Sequence, residues 1–150
     1  MRSMFRGNFE HTIDAKGRVS LPVRYREILS TQFDGRLVIT HFDSCLLAFP
    51  YQEWLAFEDK LSSVSAVDEQ VQLFKRYFIA GAYECSLDKL GRILIPPNLR
   101  KHAALEREVV FVGSVKQIEI WSKDRWEKVF SEAQEKFKET RNVLATKFGL

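Results

Sequence analysis

Two short strings carry the side chains with the best-defined chemistry: Asp14-Ala15-Lys16-Gly17-Arg18 and Asp88-Lys89-Leu90-Gly91-Arg92. Aspartate favours the first position of a tight turn because its side chain accepts backbone hydrogen bonds, and glycine permits the left-handed backbone the turn needs at its far end. Each string therefore predicts a hairpin tip, with Lys16 and Arg18, or Lys89 and Arg92, projecting together from a stiff base. Arginine offers a fixed fork of donors that fits phosphate oxygens or the O6 and N7 of guanine in a major groove wide enough for a two-stranded β-ribbon. Nearby lysines would add phosphate contacts and salt dependence. The competing reading is a surface ion pair between each Asp and its own Arg, of little energetic value. For one isolated tip that reading would win; two tips of one design, both in basic parts of the chain, favour nucleic-acid contact.

The elements that hold these tips come as a repeat. Ile13 to Arg26 reappears as Leu87 to Arg100, 74 positions later, with Asp, Gly, Arg, Pro and the final Arg identical in type and Val19/Ile93 and Leu21/Ile95 matched in apolar character. Further on, Arg36 to Thr40 parallels Val109 to Gly113, Cys45 to Phe49 parallels Gln117 to Trp121, and Trp54 parallels Trp126. Past each tip the alternating apolar residues form a returning strand, which Pro22 or Pro96 stops. A short helix follows, carrying Val23, Tyr25, Ile28 and Leu29 in the first copy and spanning about Asn98 to Ala104 in the second. Two β-rich strands then pair around His41-Phe42-Asp43-Ser44 or Ser114-Val115-Lys116. Between the copies Tyr51 to Leu61 and Val67 to Phe78 read as helices, the latter with Val67, Val71, Phe74 and Phe78 on one face; Trp126, Val129, Phe130, Ala133 and Phe137 mark another in the tail. Such stripes are read as core or subunit contacts, and neither copy looks able to bury its faces alone. Arg24, Arg26 and Arg100 divide evenly between solvated positions and subunit salt bridges.

Charge follows the repeat. The chain of 150 residues has a net charge of +3, and Lys plus Arg outnumber Asp plus Glu by seven to four through residue 36 and by six to three over residues 85 to 116, while residues 37 to 84 hold three against seven. A hydrophobic fraction of 45% supports a packed core. The other chemistries find little support. His11, His41 and His102 are scattered, no metalloprotease or nucleophile-elbow motif occurs, and Lys16-Gly17-Arg18 lacks the framing of a P-loop. Cys45 and Cys85 lack metal or disulfide spacing and read as buried apolar thiols. No apolar run approaches membrane-spanning or signal-peptide length, so a cytoplasmic protein is expected. No enzyme, cofactor, metal site or small-molecule substrate is expected.

With these tips in view, the doubled Asp-x-x-Gly-Arg, apolar strand, proline and Arg-bearing helix resembles the AbrB-like swapped-hairpin proteins. Adding Met4-Phe5-Arg6-Gly7, Cys45 to Pro50 and Gly81 to Cys85, the chain resembles the MraZ family of transcriptional regulators along nearly its whole length. The resemblance implies an α+β fold of two tandem AbrB-like swapped-hairpin β-barrel half-units with peripheral helices, related by a pseudo-two-fold within one chain. The expected divisions are residues 5–65 for the first repeat and its helix, 66–80 for a connecting helix, and 81–150 for the second repeat with its C-terminal helix. It also implies a nucleoid-associated repressor of the cell-division and cell-wall gene cluster that binds direct repeats of double-stranded DNA in its own promoter and assembles into a homo-oligomeric ring. The family's D-x-x-x-R recognition motif maps onto Asp14 and Arg18, and onto Asp88 and Arg92; Lys16, Gly17, Lys89 and Gly91 complete the expected DNA-binding set. Copy two departs from copy one in carrying Leu90 where copy one has Lys16, so unequal contacts are expected. The alternative is a module of the same fold that binds a partner protein. Met1 to Ser3 precede the resemblance and are assigned no role.

Overall fold

A computed structural model describes residues 4–149; Met1 to Ser3 lie outside that range. The first repeat runs β1 (Asn8–Thr12), β2 (Arg18–Ser20), α1 (Val23–Gln32), β3 (Arg36–Phe42) and β4 (Cys45–Pro50), followed by α2 (Tyr51–Ser62). A connector, α3 (Glu69–Phe74), passes directly into a π-helical turn at Lys75–Ile79. The second repeat has the same order: β5 (Tyr83–Ser86), β6 (Arg92–Leu94), α4 (Pro97–Ala103), β7 (Glu108–Ser114), β8 (Gln117–Ser122) and α5 (Lys123–Glu135), with α6 (Phe137–Phe148) at the end. The fold is mixed α and β, and all strand pairing in it is antiparallel.

The pairing joins the two repeats at every level. Six strands form one sheet in the order β1-β7-β8-β4-β3-β5, and β2 pairs with β6 in a second, two-stranded sheet. Each returning strand therefore ladders with its counterpart in the other repeat and not with the strand that precedes its own turn. Val19 faces Ile93, its own equivalent, and Leu47 faces Glu119, again its own equivalent. Antiparallel pairing of a residue with its own equivalent relates the two strands locally by a two-fold. Reciprocal bonds confirm it: Leu21 N–H donates to Gly91 O at 3.0 Å and Ile95 N–H to Gly17 O at 2.9 Å.

Packing explains the exchange. Ile13, Val19, Leu21, Tyr25, Ile28 and Leu29 share one buried cluster with Ile93, Ile95, Leu99, Ala103, Val109 and Phe111, so the apolar faces of both repeats meet in a single core. The opposite face of the sheet carries two smaller clusters. Trp54 of α2 packs with Val38, Leu47 and Phe78, where the connector closes over it. Its counterpart Trp126 joins Cys45, Val110 and Trp121 but is only partly buried, with the Phe130 ring 5.3 Å away between centres.

Several boundaries differ from the sequence reading. The connector helix starts at Glu69, capped by the Asp68 side chain on Gln70 N–H, so Val67 stands outside it and is 87% exposed. Of its expected apolar face, Phe78 is buried and Phe74 is exposed. Pro22 and Pro96, which stop the strands, also occupy the N-cap positions of α1 and α4, and Val23 is exposed while Tyr25, Ile28 and Leu29 are buried. The tail stripe is split, since the helix breaks at Lys136, and Val129, Phe130 and Phe137 lie exposed.

Candidate nucleic-acid interface

Both tips are built the same way. Asp14 N–H donates to Arg18 O at 2.9 Å and Gly17 N–H to Asp14 O at 3.0 Å; Asp88, Gly91 and Arg92 repeat this at 2.8 and 3.0 Å. The Asp14 carboxylate ties the loop together. Its Oδ1 accepts from the N–H groups of Lys16 and Arg18, and its Oδ2 accepts from Arg18 Nε, each at 2.9 Å. Asp88 does the same with Leu90 N–H, Arg92 N–H and Arg92 Nε at 2.9, 2.9 and 2.8 Å. The backbone N–H of the arginine, helped by its side chain, holds each aspartate below the usual carboxylate range. Both are therefore ionised at neutral pH.

The consequence for the arginines is orientation. Engaging Nε fixes the guanidinium plane, and the Nη groups of Arg18 and Arg92 make no hydrogen bond among the described residues. The remaining edge of each fork is left to meet two acceptors side by side, as guanine or phosphate presents them. The ion pairs expected as the competing reading do form, at 2.9 and 2.8 Å. They use one nitrogen of each fork. Both arginines remain partly exposed, with side-chain accessibilities of 37% and 29%.

The β2–β6 ribbon brings the two tips together. Arg18 faces Leu94 and Ser20 faces Arg92, so these four side chains share the outward face while Val19 and Ile93 point into the core. From strand rise and spacing, the Cα atoms of Arg18 and Arg92 lie about 8 Å apart on the diagonal. The tips flank the ribbon at opposite ends, with Lys16, Lys89 and Leu90 exposed on them. A groove of about 520 Å³ opens beside the first tip, lined by Lys16, Tyr83, Glu84, Leu94, Pro97 and Arg100.

Gly17 and Gly91 have φ of +94° and +77°, the left-handed region that side chains resist. Space is short as well. A Cβ on Gly17 would stand 2.6 Å from Arg100 Nε and 2.9 Å from Ile95 O, and one on Gly91 would stand 2.5 Å from Arg26 Cδ. Each helix arginine thus packs on the glycine of the other repeat's tip, a placement the sequence left open between solvent and subunit contacts. Arg100 Nε donates to Ile95 O at 2.9 Å, whereas Arg26 Nε is buried without a partner among the described residues. Two outward-face residues, Ser20 and Leu94, were missed in the sequence; their alternation with Val19 and Ile93 was the available signal.

The remaining reactive side chains are placed elsewhere. Cys45 and Cys85 are buried free thiols, pushed up to about 12 and about 11 by burial. His41 and His102 approach to 5.2 Å between ring centres, but Tyr77 stacks on His41 at 3.6 Å and His102 Nε2 lies 2.8 Å from Asp43 O, a packing joint between connector and repeats. Among the described residues there is no group of three or more His, Cys, Asp or Glu that could hold a metal, and no helix is long and apolar enough to cross a membrane.

Fold and tips together define a two-repeat protein of mixed α and β structure whose repeats jointly build one ribbon with an anchored arginine at each end. The family model described as "MraZ protein, putative antitoxin-like" matches it twice, over residues 4–77 and 78–147. The chain belongs to the MraZ family. It is 47% identical over 156 residues to the transcriptional regulator MraZ of Geotalea daltonii, an alignment covering 95% of this chain and 98% of that protein. It is 46% identical to that of Geobacter metallireducens, with the same coverage, and 43% identical to that of Thermoanaerobacter sp. strain X514, covering 94% and 96%.

Proposed function

We propose that this chain is a sequence-specific DNA-binding transcriptional regulator that docks the outward face of the β2–β6 ribbon, with its two flanking tips, into the major groove. The observation that carries the reading is the pair of guanidinium groups held by Nε on ionised aspartates, Arg18 on Asp14 and Arg92 on Asp88, with no hydrogen bond to their outer edges among the described residues. Arg18 and Arg92 read bases, Asp14 and Asp88 aim them, and Gly17 and Gly91 allow the turns. Lys16 and Lys89 neutralise phosphates. The relatives' naming as transcriptional regulators supports this role.

Family membership further supports a nucleoid-associated cytoplasmic repressor of the cell-division and cell-wall gene cluster, acting at direct repeats in its own promoter. The mutual strand exchange fits an AbrB-like swapped-hairpin barrel closed within one chain, with repeats at residues 5–65 and 81–150 and a connector at 66–80. Self-association into a ring is favoured by the apolar side chains left exposed on α5 and α6, among them Phe130, Phe137 and Val143. Several chains on repeated sites would gain specificity through effective concentration.

Binding to duplexes from the region upstream of its own coding sequence, measured at two salt concentrations, tests the reading. A DNA reader shows sequence preference and a steep loss of affinity with salt, with a log–log slope of about −0.9 per phosphate contacted. A partner-protein module shows neither.

A further inference from the structure

The outward ribbon face does not share the two-fold symmetry of its backbone. Arg18 and Arg92 are equivalents, but Leu94 occupies the position equivalent to Ser20. One half of the face thus pairs arginine with an isobutyl group directly across the ladder, and the other pairs arginine with a hydroxyl. Leu94 is 56% exposed although the shared core lies immediately beneath its neighbours Ile93 and Ile95, which are 1% and 0% exposed. Its side chain is on the solvent side because of strand alternation, so it contributes little to folding where it stands.

The geometry points to Leu94 as a specificity-determining residue that packs on the C5-methyl of a thymine next to the guanine read by Arg18. This rests on the DNA-binding reading proposed above. Opposed residues on one ribbon face hold their Cβ atoms about 5 Å apart, close enough to address adjacent base pairs. In the major groove thymine differs from every other base by a methyl group, and an apolar side chain is what recognises it. That methyl stands out toward the protein, so a shorter side chain than arginine can reach it. Ser20, beside Arg92, offers a hydroxyl in the equivalent place and accepts several bases. The chain therefore has a direction on DNA in spite of its two-fold backbone: the Arg18–Leu94 half demands guanine with thymine, and the Ser20–Arg92 half demands guanine alone.

The test uses the full-length protein and a duplex that it selects from a randomised pool. Each thymine of that duplex is replaced in turn by deoxyuridine, which removes only the methyl, and each guanine by 7-deazaguanine, which removes the N7 acceptor. At one thymine adjacent to a guanine whose N7 matters to the wild type but not to Arg18→Ala, loss of the methyl weakens wild-type binding about fourfold, the effect of burying one methyl group. Leu94→Ser binds the deoxyuridine and thymidine duplexes equally and melts within about 2 °C of the wild type, as expected for an exposed position. Indifference of the wild type to every thymine methyl, or undiminished methyl sensitivity in Leu94→Ser, overturns the assignment while leaving the DNA-binding reading in place. Failure to enrich any duplex removes that reading and this one with it.

Discussion

Arg100 of the second repeat lies flat against Gly17 of the first, with its Nε and Cζ 2.6 and 2.8 Å from where a Cβ would stand. Arg26 has the same relation to Gly91. The glycines are thus required twice over, by backbone conformation and by an arginine arriving from the other half of the molecule. Gly17→Val or Gly91→Val should cost more than about 2 kcal/mol and lower the melting temperature by at least about 5 °C. Gly35 supplies the control, since it also has positive φ, +83°, but nothing lies within 4 Å of its missing Cβ. Gly35→Ala should cost only about 1 kcal/mol of backbone strain. Equal melting temperatures for the Gly17 and Gly35 variants would show that the arginine contact does not constrain the turn.

Removing the two arginine side chains proposed to read bases should separate binding from folding. Arg18→Ala and Arg92→Ala are each expected to weaken specific DNA binding by about 1–3 kcal/mol, and the double variant by more, with melting within about 2 °C of the parent because partly exposed ion pairs add little stability. Titration of a selected duplex by fluorescence anisotropy measures the first quantity and calorimetry the second. Full affinity in the double variant would discard both arginines as readers.

Acid should loosen both tips together. Asp14 and Asp88 titrate below their ordinary value in the folded chain, chiefly because the backbone N–H of Arg18 or Arg92 donates to the ionised form. A depressed folded pKa adds stability that is complete above the unfolded value of about 3.9 and disappears as pH falls through the folded one. Carboxyl carbon shifts followed by NMR should give midpoints for both residues below about 3.9, and Asp14→Asn should remove one of those transitions. Midpoints at or above the ordinary value would mean that the turn does not anchor its arginine.

The thiols should report on global opening. Cys45 and Cys85 are buried and pushed up to about 12 and about 11. A disulfide reagent at pH 8 should leave both untouched in the native protein and modify both at the rate of unfolding, since the thiolate is the reacting form. Prompt modification of either under native conditions would contradict its burial.

An open apolar face on α5 predicts self-association through it. Phe78 buries Trp54 in the first repeat, whereas Trp126 is only partly buried and Phe130 beside it is 50% exposed. Phe130→Asp should reduce the sedimenting assembly while raising or preserving the melting temperature of the dissociated chain. An unchanged sedimentation profile would overturn α5 as a self-association surface.

Much of this was legible in the sequence because turns and repeats are local. Asp14 and Gly17, or Asp88 and Gly91, specify a tip within five residues, and a fixed spacing between like strings specifies two equivalent units. Pairing partners are not local information. Alternation at Val19 and Leu21 identifies a strand but cannot say that it ladders with Ile93 rather than with the segment before Asp14. The roles of Arg26 and Arg100 were equally hidden, since their contacts lie across that exchange. The connector shows the reverse problem: Val67 fits the helical period of Val71 and Phe74, yet the Asp68 side chain caps the helix one residue later and leaves Val67 in solvent. Periodicity reads which residues could share a face, and capping decides where the face begins.

Because β2 and β6 belong to the same polypeptide, formation of the ribbon between them is a first-order event. Dilution cannot take it apart, and a cell holding only a few copies of the chain still has every copy with its ribbon complete. Mass action would act only on the proposed joining of one chain to the next, so under that reading the number of chains gathered on DNA responds to abundance while the ribbon of each remains constant.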